Sequence, residues 1–555
     1  MNIKSVENPN NPSREKRYEL LKKGLKEAKR LEDFDNIINL LAPPTDITKI
    51  ASPGQFKGLK VGIIGAGLAG LSACYELRKL GFDITIYESS KERVGGRVYT
   101  YYFDRFKKLY GELGPMRIPV SHEATWKFID LFKLDTNPYI QDNKNAFIYV
   151  QNTRTRNNEK DIMRYIYPKF NLTLKERKIP ISTYLKWAYN CPIINLPVEI
   201  RKELLQVKRI YDYRINNLDF INSRKAFEYL GLTEDAINLV QSVASFESGI
   251  FYYSLLELLR DEYSVNFSYL YEITGGFSKL PEAFYNSLTS HSPNELEEIN
   301  KTDLGNIKFN LGCEVTSISK TSNKITLEYN NKFRKYKDKK DFDFLICAIP
   351  FSKLRNINIY PSFSNRKMQA IREVNYPPAQ KTLLLFKERF WETYHKKPII
   401  GGGSFTDLPI TSIWYPSHSI ENTKNKPGVL LASYNFSLDA IRLGNIDDND
   451  RIALILKQLE FIHNLPKGYL NSILLDFKTI QWNSEKNFLG GFCYMYPEQS
   501  RIFTYSMGKP EYNERIYFAG EHISTTHAWQ QGALKTGLKA ANNLAKHCNY
   551  IFKND

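Results

Sequence analysis

Cysteine is scarce in this chain and is never placed in the pairs that metal or redox chemistry needs. The six cysteines among 555 residues, Cys74, Cys191, Cys313, Cys347, Cys493 and Cys548, stand singly, with no CxxC element and no zinc-type spacing. Reduced thiols are expected, with Cys74 and Cys347 as packing residues. Histidine is also scarce for a chain of this length, eight in all, and none pairs as a metal site. No apolar stretch approaches the ~20 residues of a membrane span. Met1–Pro12 is polar and lacks the charged-then-apolar pattern of a secretory signal. The expectation is a cytoplasmic protein with no membrane span. Acid is also in deficit, 60 Asp and Glu against 77 Lys and Arg, a net charge of +17. Such a surplus attracts phosphates over long range. The lysines, however, are dispersed among Asn, Tyr and Ile, with no basic block interleaved with aromatics, so no nucleic-acid partner is expected.

What the chain does have is apolar and aromatic mass, 42% and 14% of its residues, enough for a large core divided into two or three domains. Its most informative stretch is residues 59–97. Val61 to Ile64 is an apolar run that reads as a strand, and Gly65-Ala66-Gly67-Leu68-Ala69-Gly70 follows at once and opens a helical pattern reaching Leu80. Gly65 permits a tight turn, Gly67 lets a pyrophosphate approach the backbone, and Gly70 lets the helix pack against the strand. Helix N-terminal amides then meet the phosphates. A second strand, Asp83 to Tyr87, delivers Glu88, an acid at the distance that suits a ribose hydroxyl. The pattern is that of a dinucleotide site.

Val94-Gly95-Gly96-Arg97 follows seven residues later, and with it the sequence resembles the flavin-containing amine oxidase family, whose FAD-binding segment carries the same GGR. The resemblance moves the cofactor to FAD and lays Arg97 along the flavin and its pyrophosphate. Gly114-Pro115-Met116-Arg117-Ile118-Pro119 narrows it to the L-amino acid oxidases, in which the arginine of this motif grips the substrate α-carboxylate. A planar guanidinium with two parallel donors suits that task; an arginine paired with an internal acid is the alternative. Gly275 to Pro281, Cys313-Glu314-Val315 and Phe342 to Pro350 return the chain to the family pattern, with Val315 the contact to adenine. Lys381 heads a strand with Phe390-Trp391 downstream, and the resemblance gives it a water held against flavin N5. In Gly428 to Phe436, Tyr434 matches the tyrosine that shares the carboxylate with Arg117; Ser433 is the competing position. Trp482, Gly490-Gly491-Phe492 and Ile516 to Gly537 close the pattern, with Gly520 and Glu521 in the second half of the FAD site. Trp529 forms an aromatic wall with Trp482 and Phe492, and Ala528 lies beside flavin and substrate. The stretch Ser524 to Ala528 holds no cysteine, so FAD is expected to be non-covalent.

The resemblance thus implies an α/β (α+β) chain with a Rossmann-like FAD-binding domain, a mixed-sheet substrate-binding domain and a helical insertion domain. The expected division is an N-terminal helix and linker over 1–56, FAD-binding parts at 57–119, 271–350 and 481–555, a helical substrate-side domain over 120–270, and the substrate-binding domain over 351–480. Residues 13–32 read as a basic amphipathic helix that packs on its own domain or lies on an anionic membrane surface. The implied reaction is oxidation of an L-amino acid by O2 to a 2-oxo acid, ammonia and hydrogen peroxide, in a homodimer. An amide-forming monooxygenase of the tryptophan type and a polyamine or monoamine oxidase are the alternatives. Asp261 stands where some relatives carry histidine. It either reaches the pocket and favours a cationic side chain, pairs with Arg260, or faces solvent. His527 is open between a general base and a packing histidine.

Overall fold

In the computed structural model, which describes residues 8–244, 247–333, 336–417 and 426–554, the apolar run after Leu59 becomes the strand Lys60–Ile64, buried from Val61 onward. It is the middle strand of a five-stranded sheet. The order across that sheet is Ile307–Leu311, Asp83–Glu88, Lys60–Ile64, Phe344–Cys347 and Ile516–Phe518, and every pairing is parallel. The central strands, residues 61–64 and Phe344–Cys347, are apolar because both faces are covered, and the five strands come from three separated parts of the chain.

The helix Leu68–Lys79 leaves the first strand through the glycine turn, and all twelve of its residues are buried. It is clamped by the C-terminal helix Gln530–Asn554, which approaches so closely that a Cβ on Gly537 would lie 2.2 Å from the Ala69 carbonyl oxygen. Charges on so enclosed a helix need partners. Glu76 pairs with Lys79 at 3.0 Å and with Lys127 at 3.2 Å, and Arg78 donates to the Ser287 and Ser290 carbonyls at 2.8 and 2.6 Å.

A seven-stranded mixed sheet carries the other half of the molecule. Its order is Leu474–Gln481, Ala379–Phe386, Gly428–Phe436, Ser412–Trp414, Gly403–Thr406, Phe147–Val150 and Thr153–Arg156. The last two strands belong to the stretch 120–270, which was expected to be helical. The cause is local: Phe-Ile-Tyr-Val followed by Thr-Arg-Thr-Arg is β-branched, aromatic and alternating. Beyond it the helices Tyr213–Asp219, Ser223–Tyr229, Glu234–Val243 and Leu255–Tyr263 each start on a capping side chain, Asp212, Asn222, Thr233 and Ser254, which accepts a first-turn amide. The α/β class with a Rossmann-like parallel sheet, a mixed sheet and a helical insertion is therefore as expected from sequence.

The N-terminal helix is Arg14–Glu27, capped by Ser13, and it buries Leu20, Leu21, Gly24 and Leu25 against the rest of the chain. Arg17 is buried with it, bonded to Asp130 at 2.7 Å and stacked 4.5 Å from the Trp126 ring centre. Packing, not an open amphipathic face, accounts for its pattern. The first seven residues of the polar leader lie outside the described residues.

At the head of the fold, a Cβ on Gly70 would sit 2.0 Å from the Gly65 carbonyl oxygen, which is backbone and has nowhere to go. Gly70→Val is expected to destabilise the protein by about 1 to 3 kcal/mol through this overlap and to open the turn. Thermal unfolding with and without added FAD measures it. A variant that unfolds with the parent and keeps its flavin would show that the strand and helix tolerate separation.

Candidate active site

A single long cavity runs from Glu88 and Val315 at one end to Lys381, Tyr434 and Trp529 at the other. Its middle is the glycine turn. Gly65 adopts φ +98°, where a side chain would be strained, and a Cβ there would meet the Ala348 carbonyl at 2.9 Å. Gly67 caps the helix with no side chain of its own, so the first-turn amides at Leu68 and Ala69 are left for a ligand. Gly95 and Gly96 also have positive φ, and the Gly95 amide donates to the Ala66 carbonyl at 2.8 Å, laying the GGR turn beside the first. Glu88 is held by the amides of Ala66 and Ser90 at 2.9 and 2.8 Å.

Arg97 donates to Glu521 at 3.0 Å and to the Gly491 carbonyl at 3.1 Å. The same Glu521 carboxylate accepts the amides of Cys493 and Ala528, both at 3.0 Å. Ala528 itself has φ +64°, a strained value for alanine that this bond helps to hold. An acid at one end, helix amides in the middle and an aromatic, lysine-bearing chamber at the other make a cavity that fits an extended dinucleotide such as FAD. Among the described residues no cluster of His, Cys, Asp or Glu is arranged to hold a metal.

At the far end Lys381 is buried at the start of the strand Ala379–Phe386. Its Nζ donates to the Gly114 carbonyl at 2.6 Å and the Glu112 carbonyl at 3.2 Å and lies 4.2 Å from the Tyr434 ring centre. Burial pulls its pKa down to about 7. Tyr434 lines the cavity, whereas Ser433, one residue earlier on the same strand, points the other way and donates to Gln380 at 3.0 Å. Trp482 is fixed by its Nε1–H to the Leu113 carbonyl at 2.9 Å, and Trp529 by its Nε1–H to Asp261 at 2.8 Å. Phe492 meets Phe436 edge to face at 5.3 Å.

Of the residues expected at the site, Gly65, Gly67, Leu68, Ala69, Glu88, Gly96, Arg97, Gly114, Pro115, Val315, Lys381, Tyr434, Trp482, Phe492, Gly520, Glu521, Ala528 and Trp529 line this cavity. Ala66, Gly70, Met116, Arg117 and Asp261 do not. Ala66 and Gly70 are consumed in packing the turn, and the Met116 sulfur backs Lys381 at 3.8 Å. Arg117 is 9% exposed and lies over Phe267 and Trp414, 5.1 and 5.3 Å from their ring centres, with Nη1 donating to Gln141 at 2.6 Å. Its charge nonetheless acts on Lys381, Tyr434 and Asp261. Asp261 is neither paired with Arg260 nor turned to solvent: its Oδ1 accepts from Trp529 and from Asn266, both at 2.8 Å. Burial raises its pKa to about 7.

His527 does not line the cavity. Its Nδ1 is 2.7 Å from Glu257, which also binds Arg260 at 3.0 Å, and all three are buried. A packing role, anchoring the loop that carries Ala528 and Trp529 to the helix Leu255–Tyr263, accounts for it. Sequence reasoning assigned no role to Glu257, Gln141 or Glu112. Glu112 stood in view two residues before Gly114-Pro115-Met116-Arg117, but nothing local marked it as buried beside Lys381. It accepts from the Phe277 amide at 2.9 Å and from Thr100 at 3.0 Å, and burial lifts its pKa to about 8.

That elevation has a sign. A carboxyl whose folded pKa lies above its unfolded value favours the fold below the unfolded pKa and loses that contribution as pH rises toward the folded one. Glu112→Gln keeps an oxygen for Phe277 and Thr100 but cannot ionise. Between about pH 5 and pH 6, below most of the Lys381 titration in the folded state, the parent should lose about 1 kcal/mol of stability relative to the variant. Denaturant unfolding at each pH measures the difference, and parallel stability profiles would place the Glu112 titration in its ordinary range.

Residues 68–545 match the profile of the flavin containing amine oxidoreductase family. The chain is similar to the L-amino-acid oxidase of Crotalus adamanteus, at 30% identity over 528 residues that cover 94% of this chain and 92% of that one. It is similar also to the L-amino-acid oxidase of Bothrops atrox, at 30% identity over 496 residues, 87% of this chain and 88% of that one. In fold it resembles a putrescine oxidase solved with putrescine bound, with a TM-score of 0.66 at 16% identity over 87% of this chain and 98% of that one. With the glycine cradle, the GGR turn and the lysine-bearing aromatic chamber in one cavity, this chain belongs to the flavin-containing amine oxidoreductase family.

Proposed function

We propose that the protein is an FAD-dependent L-amino acid oxidase, converting an L-amino acid, O2 and water to a 2-oxo acid, ammonia and hydrogen peroxide. The observation that carries the reading is Arg117, a buried guanidinium whose charge acts on the Lys381 and Tyr434 end of the cavity. A plain amine gives no reason for a buried cation there, whereas an α-carboxylate losing its hydration requires one. The curated relatives' names point the same way.

In this reading FAD supplies the two-electron acceptor, held by the amides of the glycine turn, Glu88, Arg97 and Glu521. Arg117, which stands just behind the cavity lining on Gln141, turns in with the Tyr434 hydroxyl to clamp the carboxylate and so orient the α-carbon. Trp529, fixed by Asp261, and Phe492 wall the chamber and exclude water. Lys381, with its pKa brought down to about 7, can hold or release a proton at Nζ near neutral pH. The expected assembly is a homodimer in the cytoplasm. Asp261, engaged by Trp529 and Asn266, serves here to hold the indole; the preferred substrate side chain is then large and apolar, selected by the aromatic walls.

The purified protein should be yellow and should release free FAD on acid or heat denaturation. The cysteine lining the cavity, Cys313, sits beside Val315 at the Glu88 end and not beside Trp529. Flavin remaining on the denatured chain would refute non-covalent binding. Arg117→Met removes every donor while keeping bulk, and is expected to lower kcat/KM for amino acids by ~2 to 5 kcal/mol, roughly 30-fold to several-thousand-fold. FAD content should hold, and the corresponding amine should be turned over no worse than by the parent. Amino acid oxidation within about threefold of the parent, in a variant that retains FAD, would remove the clamp from the mechanism. Product analysis completes the test: amide and carbon dioxide in place of ammonia and peroxide would identify a monooxygenase.

A further inference from the structure

A second concentration of positive charge lies on the edge of the seven-stranded sheet, in a cleft separate from the flavin cavity. In the edge strand Thr153–Arg156 the alternation of residues puts Arg154 and Arg156 on one face. Both guanidiniums lie over the same ring, Phe147 of the paired strand, at 5.6 and 4.1 Å from its centre. Arg156 also donates to the Asn145 carbonyl, which orients it. Among the described residues no carboxylate lies within ion-pairing distance of either arginine. Burial holds both below the usual guanidinium pKa, and for Arg156 its neighbour Arg154 pushes the same way.

The two arginines open into a cleft of about 360 Å³ whose wall also includes Tyr394, His395 and Asn464. His395 stacks on His463, with ring centres 5.6 Å apart, and its Nε2 is buried without a hydrogen-bond partner, a position that donates toward the cleft in the Nε2–H tautomer. The one carboxylate in the lining, Asp161, already accepts from the Asn158 side chain at 2.8 Å. Two cations against one acid, held side by side on a rigid strand, repel each other unless an anion bridges them. Guanidinium forks match tetrahedral and planar oxyanions in pairs of parallel bonds.

We propose that this cleft binds a small multiply charged oxyanion, phosphate or a phosphate monoester, gripped by Arg154 and Arg156. The site stands apart from the oxidase reading and does not depend on it. Titration calorimetry on the flavin-loaded protein at constant ionic strength, with inorganic phosphate, glycerol 3-phosphate and acetate as probes, tests it. Phosphate and its ester should saturate one site per chain with Kd of about 1 mM or tighter, and acetate should bind at least tenfold more weakly. A tighter ester than free phosphate would identify the ester as the occupant, and equal affinities the free anion. Arg154→Gln/Arg156→Gln should weaken binding about tenfold or more while the flavin spectrum stays that of the parent. Arg154→Gln alone, at an exposed position, should weaken it about threefold or more and replaces the double variant if that chain does not fold. No saturation up to about 20 mM phosphate, or affinity unchanged in a folded variant, overturns the site.

Discussion

One buried carboxylate holds the walls of the long cavity together. Glu521, at 5% exposure, gathers Arg97 from the GGR turn, the Cys493 amide and the Ala528 amide, groups that follow Asp83–Glu88 and Ile516–Phe518 of the parallel sheet and Leu474–Gln481 of the mixed sheet. An ionised acid taken out of water costs several kcal/mol unless its oxygens are saturated by donors, and a charge-assisted pair with two amides is what offsets that cost. The same bonds set the distance between the glycine turns and the aromatic wall. Loss of any one donor would therefore be felt at both ends of the cofactor cavity.

The aromatic end of the cavity is fastened to this frame by two further acids from a single helix. On Leu255–Tyr263, Glu257 takes His527 and Asp261 takes Trp529, so the loop bearing the strained Ala528 is gripped on either side. The helical insertion thus does more than roof the chamber, because it fixes the orientation of the indole that faces it. Precision of this kind comes from rotamers locked by second partners. It also accounts for the burial of acids that a simple lid would leave in solvent.

At the Lys381 end of the cavity, desolvation dominates the electrostatics. Lys381 and Glu112 are driven toward their neutral forms by the same dry surroundings, to pKa values of about 7 and about 8, and lie close enough to influence each other. A lysine on a solvent-facing strand would carry its charge at every physiological pH. Here it is poised near neutrality, where a proton can be held or passed at little cost.

By itself the sequence determined the parallel dinucleotide fold, the glycine cradle, the arginine of the GGR turn and the acid of the second strand. Each of these is a local matter: a strand, a turn needing positive φ, and a helix start follow one another within about 40 residues. The insertion was expected only as a helical stretch; its helix starts on Asp212, Asn222, Thr233 and Ser254 emerged with the structure. Only tertiary structure decided which face Tyr434 and Ser433 present, since a one-residue shift along a strand exchanges cavity for core. It also decided that Asp261 holds Trp529, that His527 turns away toward Glu257, and that Glu112 becomes a partner of Lys381. Their partners lie 268, 270 and 269 residues away in the chain. The titration of such groups is set by burial and by neighbours that no local pattern announces.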